Sequence, residues 1–514
     1  MPIALFSVFD KTGLVPLAKG LSEMGWKLLA TGGTLKALRE AKLDVKEVAD
    51  HTGAPECFDG RVKTLHPKIH GGLLYRRDVP AHVEDAKKQG IEPIDLVVVN
   101  LYPFEATIAN ENAKFEDCIE QIDIGGPSML RSAAKNHASV TVLVDPSQYG
   151  PFLEKTKAGN WTADDRRVCA LEAFRRTAAY DAAISAWLGR KTGHKDSSDL
   201  PDRLSLSLVS KQDLRYGENP HQAAGFFIQP KSAPEGMAAC EQMQGKELSF
   251  NNLLDADAAA RVVWQFKDPA CVIVKHNSPC GIAIGASVKE AFTKAHECDP
   301  TSAYGGIVAF NKPVDLETTE AMLPTFWEVI LAPGYSEDAL AAFQAKKQLR
   351  LLKTRGVWPM GAENMELRSI GGGYLIQRPD ADFTPVSQWE VMVTGGAARP
   401  ADNDLFLAQM AAKALKSNSI ALAKDGGTVG LGAGQTSRVD SVEIACRKAG
   451  PKAKGSVMGS DAFFPFADSI ETAATYGITA VIEPGGSIRD GEVVAAAKRL
   501  GIWLFFTGMR HFRH

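Results

Sequence analysis

The 514-residue chain reads as an α/β protein with parallel sheets and more than one domain. Short β-rich apolar runs alternate with amphipathic helical patterns, the order in which helices cover both faces of a parallel sheet. With 45% hydrophobic and 23% charged residues, a chain of this length buries more than one core. The formal charge of −3, from 58 basic and 61 acidic residues, gives no net positive field for nucleic acid or acidic membranes, so anions must be captured by local sites.

Taken in order, IALFSV (3–8), WKLLAT (26–31), DLVVVN (95–100) and SVTVLVD (139–145) predict buried strands. Between the first two, Leu14, Leu17, Ala18, Leu21 and Met24 fall on one helical face. Ligands of such sheets gather at the carboxyl ends of the strands. Residues 151–188 predict helix, and the polar stretch GRKTGHKDSSDLPDR places a boundary near residue 200. The expected domains are 1–145, a helical connector and linker over 146–200, and a second region over 201–514. Within that region, CVIVKHNSPCGIAIGASVKEAFTKAHECD and SIALAKDGGTVGLGAGQTSRVDSVEIACRKAG share a strand, Gly-rich turn and helix, the layout of an internal duplication. Eight Cys without disulfide spacing point to reduced thiols in the cytoplasm. The N-terminus lacks a basic leader and no run of about 18 apolar residues occurs, so neither export nor a membrane span is expected.

In the first domain, Thr31-Gly32-Gly33-Thr34 leads from a strand into a helix, where backbone N–H groups can approach a phosphate; a plain tight connection fits the same pattern. Ile122-Asp123-Ile124-Gly125-Gly126-Pro127-Ser128 opens a helix with Arg131 and Lys135 on one face, and suits either a second anion cradle or a capped surface helix. Between them, Arg61-Val62-Lys63-Thr64-Leu65-His66-Pro67-Lys68-Ile69-His70 combines guanidinium, ammonium and imidazole, a mixture suited to anion binding with proton transfer, or to a solvated basic loop. No Cys or acidic partner at ligand spacing makes His66 and His70 a metal pair. Tyr102 follows the strand DLVVVN, which puts it at the edge where ligands gather or makes it a packing aromatic.

In the second region, Lys275-His276-Asn277 follows a buried strand, and burial is expected to lower the proton affinity of both titratable groups. The segment invites comparison with zinc deaminases, yet Ser278 and Ala283 stand where ligands would be needed and no Glu follows His276, so no metal is expected. GLGAGQTSR lacks the Lys of a nucleotide-hydrolase loop; with Arg438 it is an anion site or a tight turn. Arg215-Tyr216-Gly217-Glu218-Asn219-Pro220-His221 could bracket a phosphorylated heterocycle or be a polar loop.

FSVFDKTG, ATGGT, GRVKTLHPKIHGG, VVNLYPF, EQIDIGGPSMLRSAAKNH, LRYGENPHQ, VKHNSPCG, KSNSI, GAGQTSR, SDAFFPFAD and MRHFRH, in this order, closely resemble the bifunctional purine biosynthesis proteins. These join AICAR (5-aminoimidazole-4-carboxamide ribonucleotide) formyltransferase to IMP cyclohydrolase. The resemblance implies a methylglyoxal-synthase-like N-terminal domain, then two cytidine-deaminase-like halves without zinc. It implies formyl transfer from 10-formyltetrahydrofolate, as cosubstrate, to AICAR, then ring closure of formyl-AICAR to IMP. It makes His276 the base, Lys275 the oxyanion stabiliser or acid, Asn418 the group that orients the reactants, and His514 a catalytic residue near the reaction centre. Arg215, Tyr216 and Arg438 would hold the ribonucleotide, and Pro465, Phe466 and Asp468 the folate. Lys63, Tyr102, Asp123 and Lys135 would serve ring closure, and Gly125 and Gly126 would bind its substrate. Arg61 and Thr64 would place that substrate, and Ser7, Lys11, Gly32, Gly33 and Thr34 would take its phosphate. A homodimer with the formyltransferase site at its interface is also implied. Phe9 and Tyr304 depart from the family's usual Ser and Phe. One live activity beside an inert domain, or a non-catalytic AICAR sensor, are the competing readings; a sensor needs the phosphate-holding groups but not Lys275 and His276.

Overall fold

The computed structural model describes residues 1–110, 112–191, 200–229, 234–355, 358 and 365–514. Residues 192–199 of the expected linker lie outside the described residues. Contacts divide the chain into two compact units, one mainly Met1–Val209 and the other mainly Ser210–Ile228 with Ala233–His514.

The first unit is a five-stranded sheet of β1 (Ile3–Val8), β2 (Lys27–Ala30), β3 (Val45–Glu47), β4 (Leu96–Asn100) and β5 (Thr141–Leu143). The order is β3-β2-β1-β4-β5 and every neighbouring pair is parallel. Leu5, Phe6, Val97 and Val98 are adjacent residues pointing to opposite faces, yet all are buried, which explains the unbroken apolar runs. The patterns miss β3, a three-residue edge strand in which only Val45 is buried. The helix Leu14–Glu23 buries Leu14, Leu17, Ala18 and Leu21.

The expected helical connector is two helices, Tyr149–Lys157 and Ala163–Lys191. Tyr149, Phe152, Cys169, Ala173, Tyr180 and Trp187 share the core of the first sheet, so this segment belongs to the first unit rather than standing between units. Its apolar stripe needs a covering surface, and Phe104 and Phe115 supply part of it by packing on Trp187 with centroids 5.5 and 5.2 Å away.

The second unit begins with a hairpin of β6 (Val209–Leu214) and β7 (Ala224–Ile228). Then come β8 (Glu241–Gln244), β9 (Ala270–Lys275), β10 (Ser278–Ile284), β11 (Gly306–Phe310), β12 (Trp327–Ala332) and β13 (Arg350–Lys353). A second hairpin, β14 (Glu366–Ile370) and β15 (Gly373–Gln377), precedes β16 (Glu390–Val393), β17 (Ile420–Lys424), β18 (Gly427–Gly432), β19 (Val457–Ser460), β20 (Ala480–Glu483) and β21 (Trp503–Phe506). Outside the hairpins these form one twelve-stranded sheet, β16-β21-β20-β19-β17-β18-β10-β9-β11-β12-β13-β8.

Outward from the antiparallel β10–β18 junction the two sides repeat. An antiparallel hairpin (β9–β10, β17–β18) pairs antiparallel with β11 or β19. Two parallel pairings follow, and an antiparallel strand, β8 or β16, closes each side. Side-chain contacts repeat too. Asn311 after β11 accepts the N–H of Ala270 at 2.8 Å, and Asp461 after β19 accepts that of Ser419 at 3.2 Å. Lys275 Nζ donates to the Tyr304 carbonyl at 2.6 Å, and Lys424 Nζ to the Lys454 carbonyl at 3.0 Å. The duplication is thus present in topology and in local contacts, although sequence identity between the copies is low.

Glu483 ends β20 fully buried; Oε2 accepts the Phe464 N–H at 2.6 Å, and Oε1 has no partner among the described residues. Burial pushes this carboxyl from its ordinary 4.5 up to about 8. A folded-state value above the unfolded one means the fold holds a proton that the unfolded chain releases. The associated stability is complete below about 4.5 and falls as pH rises to about 8, with a limiting slope of about 1.4 kcal/mol per pH unit. Glu483→Gln should therefore flatten the decline in urea-unfolding midpoint between pH 5.5 and 8; parallel profiles for the two proteins would contradict the assignment.

Candidate active sites

In the first unit, the expected groups collect at the carboxyl ends of β1, β2 and β4, where the chain reverses its direction of travel across the sheet. Asn100 ties two of these ends together. Its Oδ1 accepts the N–H groups of Phe9 (2.6 Å) and Asp10 (2.9 Å), and its Nδ2 donates to the Asp10 carbonyl (2.8 Å). This fixes the loop that brings Lys11 near Gly33. Gly32 and Gly33 open the nine-residue helix Gly32–Glu40, and Lys63 Nζ stands over Gly32. Ser7 Oγ lies 3.4 Å from Thr31 Oγ1 at the same edge. The Thr34 hydroxyl is buried and exchanges hydrogen bonds with the Val8 backbone, both at 3.0 Å, so its side chain supports the turn.

Asp123 accepts the Gly126 N–H at 2.8 Å, and its own N–H donates to Tyr180 Oη at 2.9 Å. Tyr180 in turn donates to the Gln121 carbonyl at 2.9 Å, so the helix Ala163–Lys191 pins the turn that carries Asp123. At Gly126 any Cβ would collide with the Asp123 carboxylate, which explains the glycine. Thr64 is buried against Gly125. Burial raises the Asp123 carboxyl, opposed by the Gly126 N–H and by the positive charge of Lys63. Burial also raises the Tyr102 phenol, with Asp123 adding to the effect. Phe9, the departure from the family pattern, packs edge-on against Tyr102 with centroids 6.0 Å apart. Arg61 is exposed and ion-paired with Glu120. Lys135 is not brought to this cluster, because it is exposed at the end of the helix that Gly125 opens, ten residues on and about 15 Å along the axis. The two histidines of the basic motif serve the fold: His66 Nδ1 accepts the Lys68 N–H at 3.1 Å, and His70 Nδ1 lies 3.0 Å from Ser132 Oγ.

In the second unit, burial stops at Val274; Lys275 is partly buried and His276 is exposed in the β9–β10 turn. The burial of the strand therefore does not extend to this pair. Across the junction, Asn418 lies just before β17 with its amide fully engaged. Its Nδ2 donates to the Gln435 and Thr436 carbonyls at 3.0 and 3.1 Å, and its Oδ1 accepts from Arg438 at 2.7 Å. Arg438 also donates to Ser460 Oγ at 3.0 Å and is ion-paired with the fully buried Asp461. So paired and enclosed, this guanidinium fixes the Asn418 side chain. Gly432 in the neighbouring Gly-rich run lets a helix approach, since a Cβ there would strike the Ser441 carbonyl.

The C-terminal residues join these two groups. Arg513 Nη2 donates to Asn277 Oδ1 at 3.4 Å, while the Arg513 carbonyl accepts the Ser417 N–H at 2.9 Å. His514 lies beside them, its carbonyl accepting from Arg368 at 2.6 Å. Asn277, Lys416, Arg513 and His514 line one cavity with Arg261 and Arg368. Pro465, Phe466 and Asp468 are exposed beyond β19, with Arg489 over the Phe466 ring at 4.7 Å. Arg215 lies over the Tyr216 ring at 5.1 Å, so that pair is held together. Among the described residues no group of three or more His, Cys, Asp or Glu could hold a metal ion. The sequence reading missed Asp255, Asp461 and Arg513 as site-building residues; the recurrence of Asp in NNLLDADAA and DNDLFLAQM, aligned through the duplication, is the signal for the first.

Comparison with known proteins places both units. Residues 13–128 match the MGS-like domain, and residues 133–448 match the AICARFT/IMPCHase bienzyme family. A bifunctional purine biosynthesis protein PurH of Dinoroseobacter shibae is 52% identical, covering 99% of this chain and 98% of the relative. Proteins of the same name from Cereibacter sphaeroides and Bacillus cereus are each 49% identical, covering 99% of this chain and 98% and 99% of their own lengths. One solved structure, "Crystal structure of ForH", is 36% identical over 37% of this chain and 97% of its own, with a TM-score of 0.34. Full-length similarity at this level, with both family models in the expected order, makes the chain a member of the bifunctional purine biosynthesis protein (PurH) family.

Proposed function

We infer a division of labour between the units from where each set of groups stands. The chain is a bifunctional enzyme of purine biosynthesis, an AICAR formyltransferase and IMP cyclohydrolase. Formyl transfer belongs to the second unit, and the observation that carries this is the meeting of the His276 turn, Asn418 and His514 at one sheet edge through Arg513. The AICAR 5-amino group attacks the formyl carbon of 10-formyltetrahydrofolate while His276 accepts its proton. Lys275 stabilises the oxyanion or protonates the departing folate nitrogen, the carbon–nitrogen bond to folate breaks, and tetrahydrofolate leaves. Asn418 orients the reacting groups, Arg215, Tyr216 and Arg438 hold the ribonucleotide, and Pro465, Phe466 and Asp468 form the folate side.

Ring closure belongs to the first unit. Lys63, Tyr102 and Asp123 move the protons as the carboxamide nitrogen attacks the formyl carbon and water departs, with the phosphate on the Lys11 and Gly32 turn. Asp123, with its carboxyl raised by burial beside Lys63, supports that assignment. By the family resemblance Lys135 shares in ring closure; Lys135→Ala should slow it, and ring closure at the parental rate would remove Lys135 from the set.

Each half of the second unit is read as a zinc-free relative of the cytidine deaminase fold, supported by the repeated topology. A homodimer that completes the formyl-transfer site, and a cytoplasmic location, follow the family resemblance. All eight cysteines are unpaired, and among the described residues no helix is long and apolar enough to cross a membrane.

His276→Ala should lower formyl transfer by about 10²-fold or more while cyclisation of supplied formyl-AICAR continues; equal loss of both activities would contradict the separation. Lys63→Ala should stop IMP formation and let formyl-AICAR accumulate, whereas IMP at the parental rate would remove Lys63 from the ring-closure site.

A further inference from the structure

The β9–β10 turn that carries His276 is built unusually. His276 and Asn277 have φ of 54° and 58°, two successive non-glycine residues in the left-handed region. Such a turn persists only where neighbouring groups enforce it. Here the enforcing group is Asp255, from the helix Phe250–Val263: Oδ2 accepts the His276 N–H at 3.2 Å and Oδ1 the Asn277 N–H at 2.5 Å. One carboxylate thus clamps both consecutive amides.

The duplicated half repeats the device at the opposite sheet edge. Asp404, from the helix Asp402–Ala414, accepts the Asp425 N–H at 3.1 Å and the Gly426 N–H at 2.7 Å in the β17–β18 turn. That turn has φ of 53° and 78°, and its second residue is glycine, which adopts the conformation freely. The same clamp therefore supports a turn without a candidate base in one half and the turn bearing His276 in the other. The exposed imidazole of His276 has no hydrogen-bond partner among the described residues, so what the fold fixes is the backbone from which it projects.

We propose that Asp255 is a positioning residue for formyl transfer, holding the His276–Asn277 backbone in the geometry that aims the His276 imidazole at the substrate amine. The inference rests on the reading of His276 as the base of that reaction. Asp404 is its internal control, because it makes the same contacts away from the chemistry.

The test compares Asp255→Ala, Asp255→Asn, Asp404→Ala, Asp404→Asn and His276→Ala in the full chain, measuring kcat and KM for AICAR in formyl transfer, cyclisation of supplied formyl-AICAR, and thermal midpoint. Asp255→Ala should lower the formyl-transfer kcat by about 10²-fold, the scale of a misplaced catalytic group, with KM changed by less than about threefold. Asp255→Asn, which keeps one acceptor, should recover part of that loss. The Asp404 variants should lose comparable thermal stability yet keep kcat within about twofold, and cyclisation should persist throughout. Equal kcat losses at positions 255 and 404, or a loss at 255 confined to KM, would overturn the proposal. Should Asp255→Ala not fold, the Asp255→Asn and Asp404→Asn pair makes the same comparison. Undiminished transfer by His276→Ala would overturn the underlying reading; loss there with full activity in Asp255→Asn would overturn only the positioning role.

Discussion

Antiparallel pairing of β10 with β18, with Ala283 opposite Gly427, decides which groups meet in the second unit. Because the partners run in opposite directions, the β9–β10 turn of one half lies at the edge where β17 begins and where β19, β20 and β21 end in the other. His276 therefore comes from one half, while Asn418, Asp461 and the C-terminal residues come from the other. Neither half alone carries the set. A duplicated fold has a second edge of the same kind, and there the turn holds Asp425 and Gly426 in place of His276 and Asn277. The copies diverged at their turns and loop ends while keeping the contacts that hold those turns.

Anions buried in the framework do much of this holding. Asp461 neutralises Arg438 and accepts the Ser419 N–H, so Asn418 is gripped from its Oδ1 side by a compensated ion pair and from its Nδ2 side by two carbonyls. Where the sister half has the neutral Asn311 at the matching place, the amide donates to the Phe266 and Asp268 carbonyls at 2.8 and 2.7 Å, and no arginine enters. The first unit follows the same logic with fewer charges: Asn100 fastens the β1 loop, and Tyr180 fastens the Asp123 turn. In both units the candidate groups stand at strand ends and on short loops that buried or half-buried side chains hold in place.

Much of this was legible in the sequence because buried parallel strands give apolar runs that need no partner to be recognised. β1, β4 and the Leu14–Glu23 helix fall where the patterns put them. The β3 edge strand was not, since three residues with one buried side chain carry no periodicity. The 149–191 helices read as a connector because helical pattern does not reveal which surface it covers; Trp187 and Tyr180 show that surface only once Phe104 and the Asp123 turn are in place. Motif residues at the sites were found as residue types, but their partners were not. Arg438 reads as part of an anion site or a tight turn, and Asp461, 23 positions away, is invisible as its counter-ion in the linear sequence. Asp255 sits in a helical run whose one signal, the recurrent Asp of the duplicated half, does not name the turn it clamps 21 residues on.

The central claim is that one chain performs two successive reactions in two separately built units. A coupled absorbance assay of the purified full-length protein with AICAR and 10-formyltetrahydrofolate, following tetrahydrofolate release and IMP formation together, tests it most directly. The account requires both signals to rise, with IMP following folate release. Folate release without IMP would contradict the assignment of ring closure to the first unit, and AICAR binding with neither signal would contradict catalysis by this chain altogether.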